Sequence, residues 1–251
     1  MLNKKAQQYI ALEHYDIQDC QNHQDLAEKL DTIIAGQELL QQDFASVSVS
    51  MMNSLNTLIP KELFKEENAR DILVFNQALL QNEDESHDWL ASIKAYNSYV
   101  IPEELQRCFI KHFPNLSWIH HSSIFIESLM RQYKFQEGKK IYLSIQDKHF
   151  DLAVLNGKQL SFYNSFHFKA TEDLIYYLLF TCEQLSLNPD QIPLIIAGEL
   201  EKESNVYKLI YRYIRNVSFI DRNPNYQYSF VFDDLKAHYY YKLLNQHLCV
   251  S

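Results

Sequence analysis

The stretch KIYLSIQDKHFDLAVLNGKQLSFYNSFHF, residues 140–168, decides the fold. Ile141, Leu143 and Ile145 alternate with Tyr142, Ser144 and Gln146, the period of two that marks a half-buried strand. Phe150 to Leu155 and Leu160 to Phe168 follow, with Asn156-Gly157 between them as the hairpin signal, since both residues tolerate positive φ. Three consecutive antiparallel strands are therefore expected. The third sets Leu160, Phe162, Asn164, Phe166 and Phe168 on one face, and Ser161, Tyr163, Ser165 and His167 on the other.

Downstream, helices and strands alternate. Thr171 is read as the cap of a helix to about Leu185 whose first turn carries Glu172 and Asp173, favourable at the positive end of the helix dipole. That helix is apolar almost all round, which predicts burial between layers. Pro193 to Ala197 reads as a short strand ending at Gly198. Ser204 opens a helix with Val206, Leu209, Ile210, Tyr213 and Ile214 at helical spacing. Val217 to Ile220 is a strand, and a last helix is expected from about Leu235 to Leu248.

The first half alternates less cleanly. It reads as a strand at Tyr9–Ile17, a helix at 22–42, a strand at Val47–Met51, and a helical region from Pro60 to about Leu80. The acidic run Glu83–Asp88 reads as a solvated loop. A strand at Tyr99–Ile101, a helix from Pro102 to His112, a strand at Leu116–His120 and a helix at Ser122–Tyr133 complete it. The polar stretch at Glu137-Gly138 places a domain boundary there, giving domains 1–137 and 138–251.

Composition narrows the chemistry. The 251 residues are 47% hydrophobic and 22% charged, the balance of a globular chain with a core. Only four glycines occur, Gly36, Gly138, Gly157 and Gly198, each isolated, so a glycine-rich phosphate cradle is excluded. The formal charge is −9, with −8 in residues 1–135 and −1 in the remainder, which disfavours non-specific binding to nucleic acid or an anionic membrane. Cys20, Cys108, Cys182 and Cys249 form no metal-binding spacing and read as reduced thiols, three of them on apolar helix faces. No apolar run reaches membrane-span length. A cytoplasmic protein is expected.

With these elements in place, three antiparallel strands followed by alternating helices and strands resemble the ribonuclease H-like half of the actin, sugar kinase and heat-shock chaperone superfamily, including its type IV pilus assembly protein. More narrowly, Tyr163-Asn164-Ser165-Phe166, Thr171-Glu172-Asp173-Leu174-Ile175-Tyr176-Tyr177, Glu183-Gln184-Leu185, Leu194-Ile195-Ile196-Ala197-Gly198-Glu199 and Thr57-Leu58-Ile59-Pro60-Lys61-Glu62-Leu63-Phe64 resemble an uncharacterised bacterial family, domain of unknown function 3822. The resemblance is strongest over about residues 139–221. It implies an α/β fold of two ribonuclease H-like, actin-like ATPase domains, the N-terminal one incomplete or divergent, and carries no established activity.

The resemblance also implies a nucleotide apparatus, and here the sequence departs from it. Active members carry Asp-x-Gly-Gly on the second-half hairpin. Ser144 stands at the Asp, Gln146 and Asp147 stand at the glycines, and an anionic Asp147 would repel phosphate. The adenosine motif ends in a glycine pair, whereas this chain has Gly198-Glu199. The first half should also open on a hairpin with a phosphate loop, yet a single strand is read there, so that hairpin was lost or the start lies upstream.

Each sharper reading has a plainer competitor. Asn164 as a ligand contact competes with a buried amide satisfied by backbone. Asp147 and Asp151 as nuclease carboxylates lack a third acid and read as hairpin-tip solubility. His120-His121 on a strand would point to opposite faces, one packed and one exposed, and not share a metal. Lys208, Arg212 and Arg215, interleaved with Tyr207 and Tyr211, read as a solvated helix face before an RNA or acidic-partner surface. Tyr239-Tyr240-Tyr241 reads as a terminal helix docked on its own domain.

The expected function is therefore a non-catalytic binding or scaffold protein with a degenerate nucleotide site, without cofactor, acting on an unidentified protein partner. Its surface is a cleft between the halves, lined by Ser144, Gln146, Asp147, Asn164, Gly198 and Glu199, or the Tyr-rich helix after Ser204. The alternative is an ATPase or phosphotransferase that binds ATP and Mg²⁺ through an atypical loop. Catalytic and metal-ligating residues are not assigned.

Overall fold

The computed structural model describes residues 1–76 and 83–249. In chain order the elements are β1 (Leu2–Asn3), β2 (Gln8–Tyr9), α1 (His23–Gly36), β3 (Ser48–Met51), β4 (Asn56–Pro60), α2 (Glu66–Asn76), β5 (Glu83–Leu90), β6 (Ala95–Pro102), α3 (Glu103–His112) and β7 (Ser117–His120). They continue with α4 (His121–Tyr133), β8 (Lys139–Gln146), β9 (His149–Asn156), β10 (Gln159–His167), α5 (Thr171–Gln184), β11 (Pro193–Gly198), α6 (Asn205–Tyr213), β12 (Asn216–Phe219), β13 (Gln227–Tyr228) and α7 (Tyr241–Asn245). The chain forms two compact units, Met1–Leu12 with Phe125–Asn245, and Glu13–Ile124 with Gln246–Ser251. Both units are discontinuous in sequence, whereas the boundary read at Glu137-Gly138 is a single cut.

The first unit is built on a five-stranded sheet in the order β10-β9-β8-β11-β12. β8, β9 and β10 are antiparallel, and β11 runs parallel to both β8 and β12. Its core is the apolar face read from the sequence: Ile141, Leu143 and Ile145 with Phe150, Leu152 and Val154, closed by Leu174, Ile175 and Leu178 of α5 and Ile210 of α6. The other face is covered too. Tyr142 is 1% exposed and packs its ring 5.2 Å from Tyr133 of α4, so these strands are buried on both sides and not on one.

Some local readings shift. The β9–β10 turn is Gly157-Lys158, with Asn156 paired to Gln159 in the ladder, and a bulge separates Leu160 from Phe162. Thr171 does not cap α5. The Asp173 carboxylate reaches back to accept from the backbone N–H groups of Lys169 and Ala170, both at 3.0 Å, and this holds its carboxyl below the ordinary range. Tyr176 and Phe180 lie exposed on α5, stacked 6.0 Å apart, so the helix has a wet side. Ser204 does cap α6, accepting from Tyr207 N at 3.1 Å. The last helix is short, because residues 233–240 run as turns with Tyr240 at φ +53° before α7 begins.

A small sheet, β1-β2-β13, ties the N-terminal segment into this unit. The chain thus opens on a short hairpin and not on one long strand. Residues 10–21 are irregular because Glu13, His14 and Asp16 interrupt the apolar pattern. Tyr9 stacks on Tyr228 at 5.4 Å and its hydroxyl donates to the Leu244 carbonyl.

The second unit carries two separate sheets, parallel β3-β7 and antiparallel β4-β6-β5. Pro60 closes β4 instead of opening a helix, α2 starts at Glu66, and the end expected near Leu80 lies outside the described residues. The acidic run 83–88 is a strand, β5, paired antiparallel with β6 along its whole length from Glu83 opposite Pro102 to Leu90 opposite Ala95, with Glu83 and Leu90 buried at its two ends.

Phe150 is fully buried against Phe166 at 5.1 Å. Phe150→Ala should cost the first unit about 3–5 kcal/mol in urea unfolding. Tyr176→Ala, at 61% exposure, should stay within about 0.5 kcal/mol.

Candidate functional site

In open α/β sheets, ligands bind beyond the carboxyl ends of the parallel strands. In the first unit that place is the end of β8 and β11, at Gln146 and Gly198, and the chain's own C-terminal segment sits on it. Gly198 N–H donates to the His238 carbonyl at 2.9 Å. The His238 ring, stacked on Phe219 at 3.9 Å, is hydrogen-bonded through Nε2 to the Leu200 carbonyl at 2.9 Å. Burial lowers its pKa, favouring the neutral ring.

Beside it lies a buried ion pair. The register sets Ser144 of β8 opposite Asp151 of β9, and Asp151 opposite Ser165 of β10. Asp151 is fully buried, and Lys242, 5% exposed, donates its ammonium to the Asp151 carboxylate. Tyr163 Oη donates to Asp151 Oδ1 at 2.9 Å, and Ser165 Oγ donates to the same oxygen. His149 Nε2 stands 3.8 Å from Oδ2. Lys242 Nζ also donates to Gln146 Oε1 at 3.3 Å and lies 5.5 Å from the Phe125 ring centroid. Burial pulls the Lys242 pKa below the usual lysine value, and the Asp151 charge opposes that shift.

The candidate residues fare differently. Ser144 and Gln146 belong to this cluster. Asp147 is exposed at the β8–β9 turn with φ +38°, and Glu199 is exposed beyond β11. Asn164 is exposed on β10, where its Oδ1 accepts from Ser165 N at 3.0 Å, so it is neither buried nor in the cluster. Gly198 has φ +96°, and a Cβ there would lie 2.0 Å from the Ile145 carbonyl oxygen, so its role is the close approach of β11 to β8. Asp151, read as tip solubility, is instead the centre of the network. The two-residue β8–β9 turn fixes the register that sets it beside Ser144, which was the signal available in the sequence.

A second polar cluster, in the second unit, is built around His120-His121, where both rings are buried instead of one packed and one exposed. His120 ends β7 and His121 opens α4, so the backbone turns between them and both rings are buried, 4.4 Å apart. His120 meets Ser122 Oγ at 2.6 Å and Asn53 Oδ1 at 3.2 Å, and His121 meets the Asn53 carbonyl at 2.8 Å. Asn97 donates to Ser122 and Ser123, each at 2.8 Å. Asp88 accepts from His120 N at 2.9 Å and Tyr99 Oη at 3.1 Å. Burial pushes the Asp88 carboxyl up to about 6 despite these bonds. Three hollows of this unit, about 620 Å³ beside Asp16 to Ile33, about 440 Å³ between Leu40–Val47 and His112–Leu116, and about 410 Å³ between α1 and α3, hold none of the candidate residues.

Solved structures similar to this chain define its class as proteins of actin-like ATPase fold. One, from Bacteroides thetaiotaomicron, has that fold and unknown function; it is 25% identical with a TM-score of 0.72, over 80% of this chain and 78% of the other. Another is the PilM–PilN type IV pilus biogenesis complex, 12% identical with a TM-score of 0.59, over 91% and 85%. The chain belongs to the family described as Protein of unknown function (DUF3822), whose profile matches residues 1–217. Among curated proteins no match is found. No helix of the described residues is long and apolar enough to cross a membrane.

Removing one partner of a buried pair strands the other charge. Lys242→Met and Asp151→Asn should each destabilise the first unit by about 3–5 kcal/mol in chemical denaturation. The double variant should cost clearly less than their sum, and an additive cycle would mean the pair does not interact. Asp88 has the opposite sign from a paired carboxylate, since folding raises its pKa. Its protonated form stabilises the second unit below about pH 4, and that stability fades as pH rises through about 6. Asp88→Asn should flatten this dependence in thermal melts taken from pH 3.5 to 7.

Proposed function

We propose that this protein is a non-catalytic binding or scaffold protein, built on ribonuclease H-like halves at about 1–137 and 138–251 with the first divergent, and that it works in the cytoplasm through a protein partner. One observation carries the reading: at the strand ends where a nucleotide's phosphates and magnesium would need room and charge, Lys242 is already bonded to Asp151 and Gln146. The carboxylate that could hold a metal or its waters is neutralised by a resident cation, and three further groups bond or face it.

Other features support the same reading. The β8–β9 turn offers Asp147 in place of a glycine cradle, and its charge opposes an incoming phosphate. The backbone N–H of Gly198 is committed to His238. The sheet order, three antiparallel strands then two parallel ones, supports the ribonuclease H-like reading of the second half. PilM, similar in fold, is seen in complex with PilN, an instance of this fold engaged by a protein. The exposed surface left for a partner at these strand ends comprises Asp147 and Glu199, with Gln146 half-buried between sheet and turn.

Isothermal titration with ATP and Mg²⁺, able to detect a Kd up to about 1 mM or roughly −4 kcal/mol, should give no saturable heat. Saturable binding that weakens in Gln146→Ala would overturn the reading. A variant at Gly198 is not a usable probe, because any side chain there collides with Ile145 backbone.

A further inference from the structure

The helical layer of the first unit carries its outer charge in two strips of opposite sign. α5 and α6 pack against each other and close the same core, with Leu174, Ile175 and Leu178 from one and Ile210 and Ile214 from the other, so their remaining faces share one outer surface. α5 contains acids and no lysine or arginine, whereas α6 contains Lys208 and Arg212 and no acid. At helical spacing Glu172, Tyr176, Phe180 and Glu183 form one exposed stripe, and Lys208, Tyr211 and Arg212 form the other.

Neither strip is neutralised within the chain. Among the described residues Glu172, Glu183 and Lys208 enter no ion pair, and Arg212 lies against the ring of its neighbour Tyr213 at 5.9 Å. The flanking charges offset one another instead. Lys169 and Asp173 attract at the start of α5, Arg215 meets Asp190 at 3.4 Å, and Lys236 pairs with Glu201. Lys148 stands next to Asp147, and Lys202 next to Glu203. The rings of the two stripes are wet as well, with Tyr176, Phe180 and Tyr211 at 61%, 45% and 51% exposure. Aromatic rings and arginine are the side chains on which protein interfaces draw most.

Two opposite strips side by side select the occupant. A uniformly acidic partner would meet like charge on α5, and a uniformly basic one would meet it on α6. A second copy, turned about a two-fold axis that runs between the two helices, sets its basic helix on α5 and its acidic helix on α6 at once. We propose that this face is a self-association surface through which two copies pair crosswise. One copy engages both strips, so the assembly closes at a dimer. Fourteen residues make α5 about 21 Å long, and packed helices lie about 8–10 Å apart. The footprint is therefore under the roughly 800 Å² per partner of a standard stable interface, and the pairing is reversible. None of these residues belongs to the cluster around Asp151, so the dimer is independent of whether nucleotide binds there.

The test is sedimentation velocity of the whole protein from about 1 μM to about 1 mM. Unsubstituted protein should pass reversibly from monomer to dimer and no further. Glu172→Lys with Glu183→Lys, and separately Lys208→Glu with Arg212→Glu, should each stay monomeric, because every crosswise contact then joins like charges. An equal mixture of these two variants should recover the dimer, since each supplies the sign that the other has lost. Tyr176→Ala with Phe180→Ala should weaken the dimer at least tenfold. All substituted residues are exposed, circular dichroism checks their folding, and recovery in the mixture shows that both charge variants are folded. A monomer at every concentration, assembly beyond a dimer, undiminished association of either charge variant, or a mixture that stays monomeric would each overturn the proposal.

Discussion

A carboxylate buried to zero exposure must be neutralised, and the first unit is arranged around that requirement. Asp151 lies in the middle strand of the β8-β9-β10 meander, where the ladder allows it neighbours but no water. Lys242 answers it from the far end of the chain. For the ammonium to arrive, residues 233–240 must turn back over β11, and the bond between Gly198 N–H and the His238 carbonyl guides that return. The sheet, the C-terminal segment and the filled strand ends are consequences of one electrostatic obligation. Such a pair is weak evidence for stability, since an apolar replacement can be as stable. Its consequence here is occupancy: the space and charge that phosphate chemistry requires are taken by the chain.

The second constraint is steric. β8 and β11 approach so closely at Ile145 and Gly198 that only a hydrogen fits between them. In the sequence that glycine looked like half of an adenosine motif. In the structure its backbone N–H is used internally and its missing side chain serves packing. A residue type can therefore persist in a motif's position while the physical need it meets is different.

What was legible followed from periodicity. The meander, α5, β11, α6 and β12 were readable because apolar residues recur at two or at 3.6 along them and because Ser204 and Gly198 punctuate their ends. What was missed had a polar pattern or a long-range cause. β5 is a strand in which four of eight residues are acidic, and its partner β6 supplies the pairing that its own hydropathy does not announce. Asp151 is buried by Lys242, 91 residues away in sequence, which no local window contains. His120 and His121 were placed on one strand, but the strand ends between them, and the change of direction brings both rings inside. Ser144 and Gln146, chosen as the positions of the Asp-x-Gly-Gly pattern on the hairpin, lie beside Asp151 and Lys242, while Asn164 is exposed even though Phe162 and Phe166 on the same face of β10 pack on the core.

Lys242 is the resident cation at these strand ends. The most direct test is the ¹⁵Nζ resonance of Lys242, assigned by its loss in Lys242→Arg and followed during titration with ATP and Mg²⁺. A slowly exchanging, hydrogen-bonded ammonium is expected, with a shift that does not move as nucleotide and metal are added. A freely exchanging amine, or a saturable shift on addition of Mg²⁺ and ATP, would contradict it.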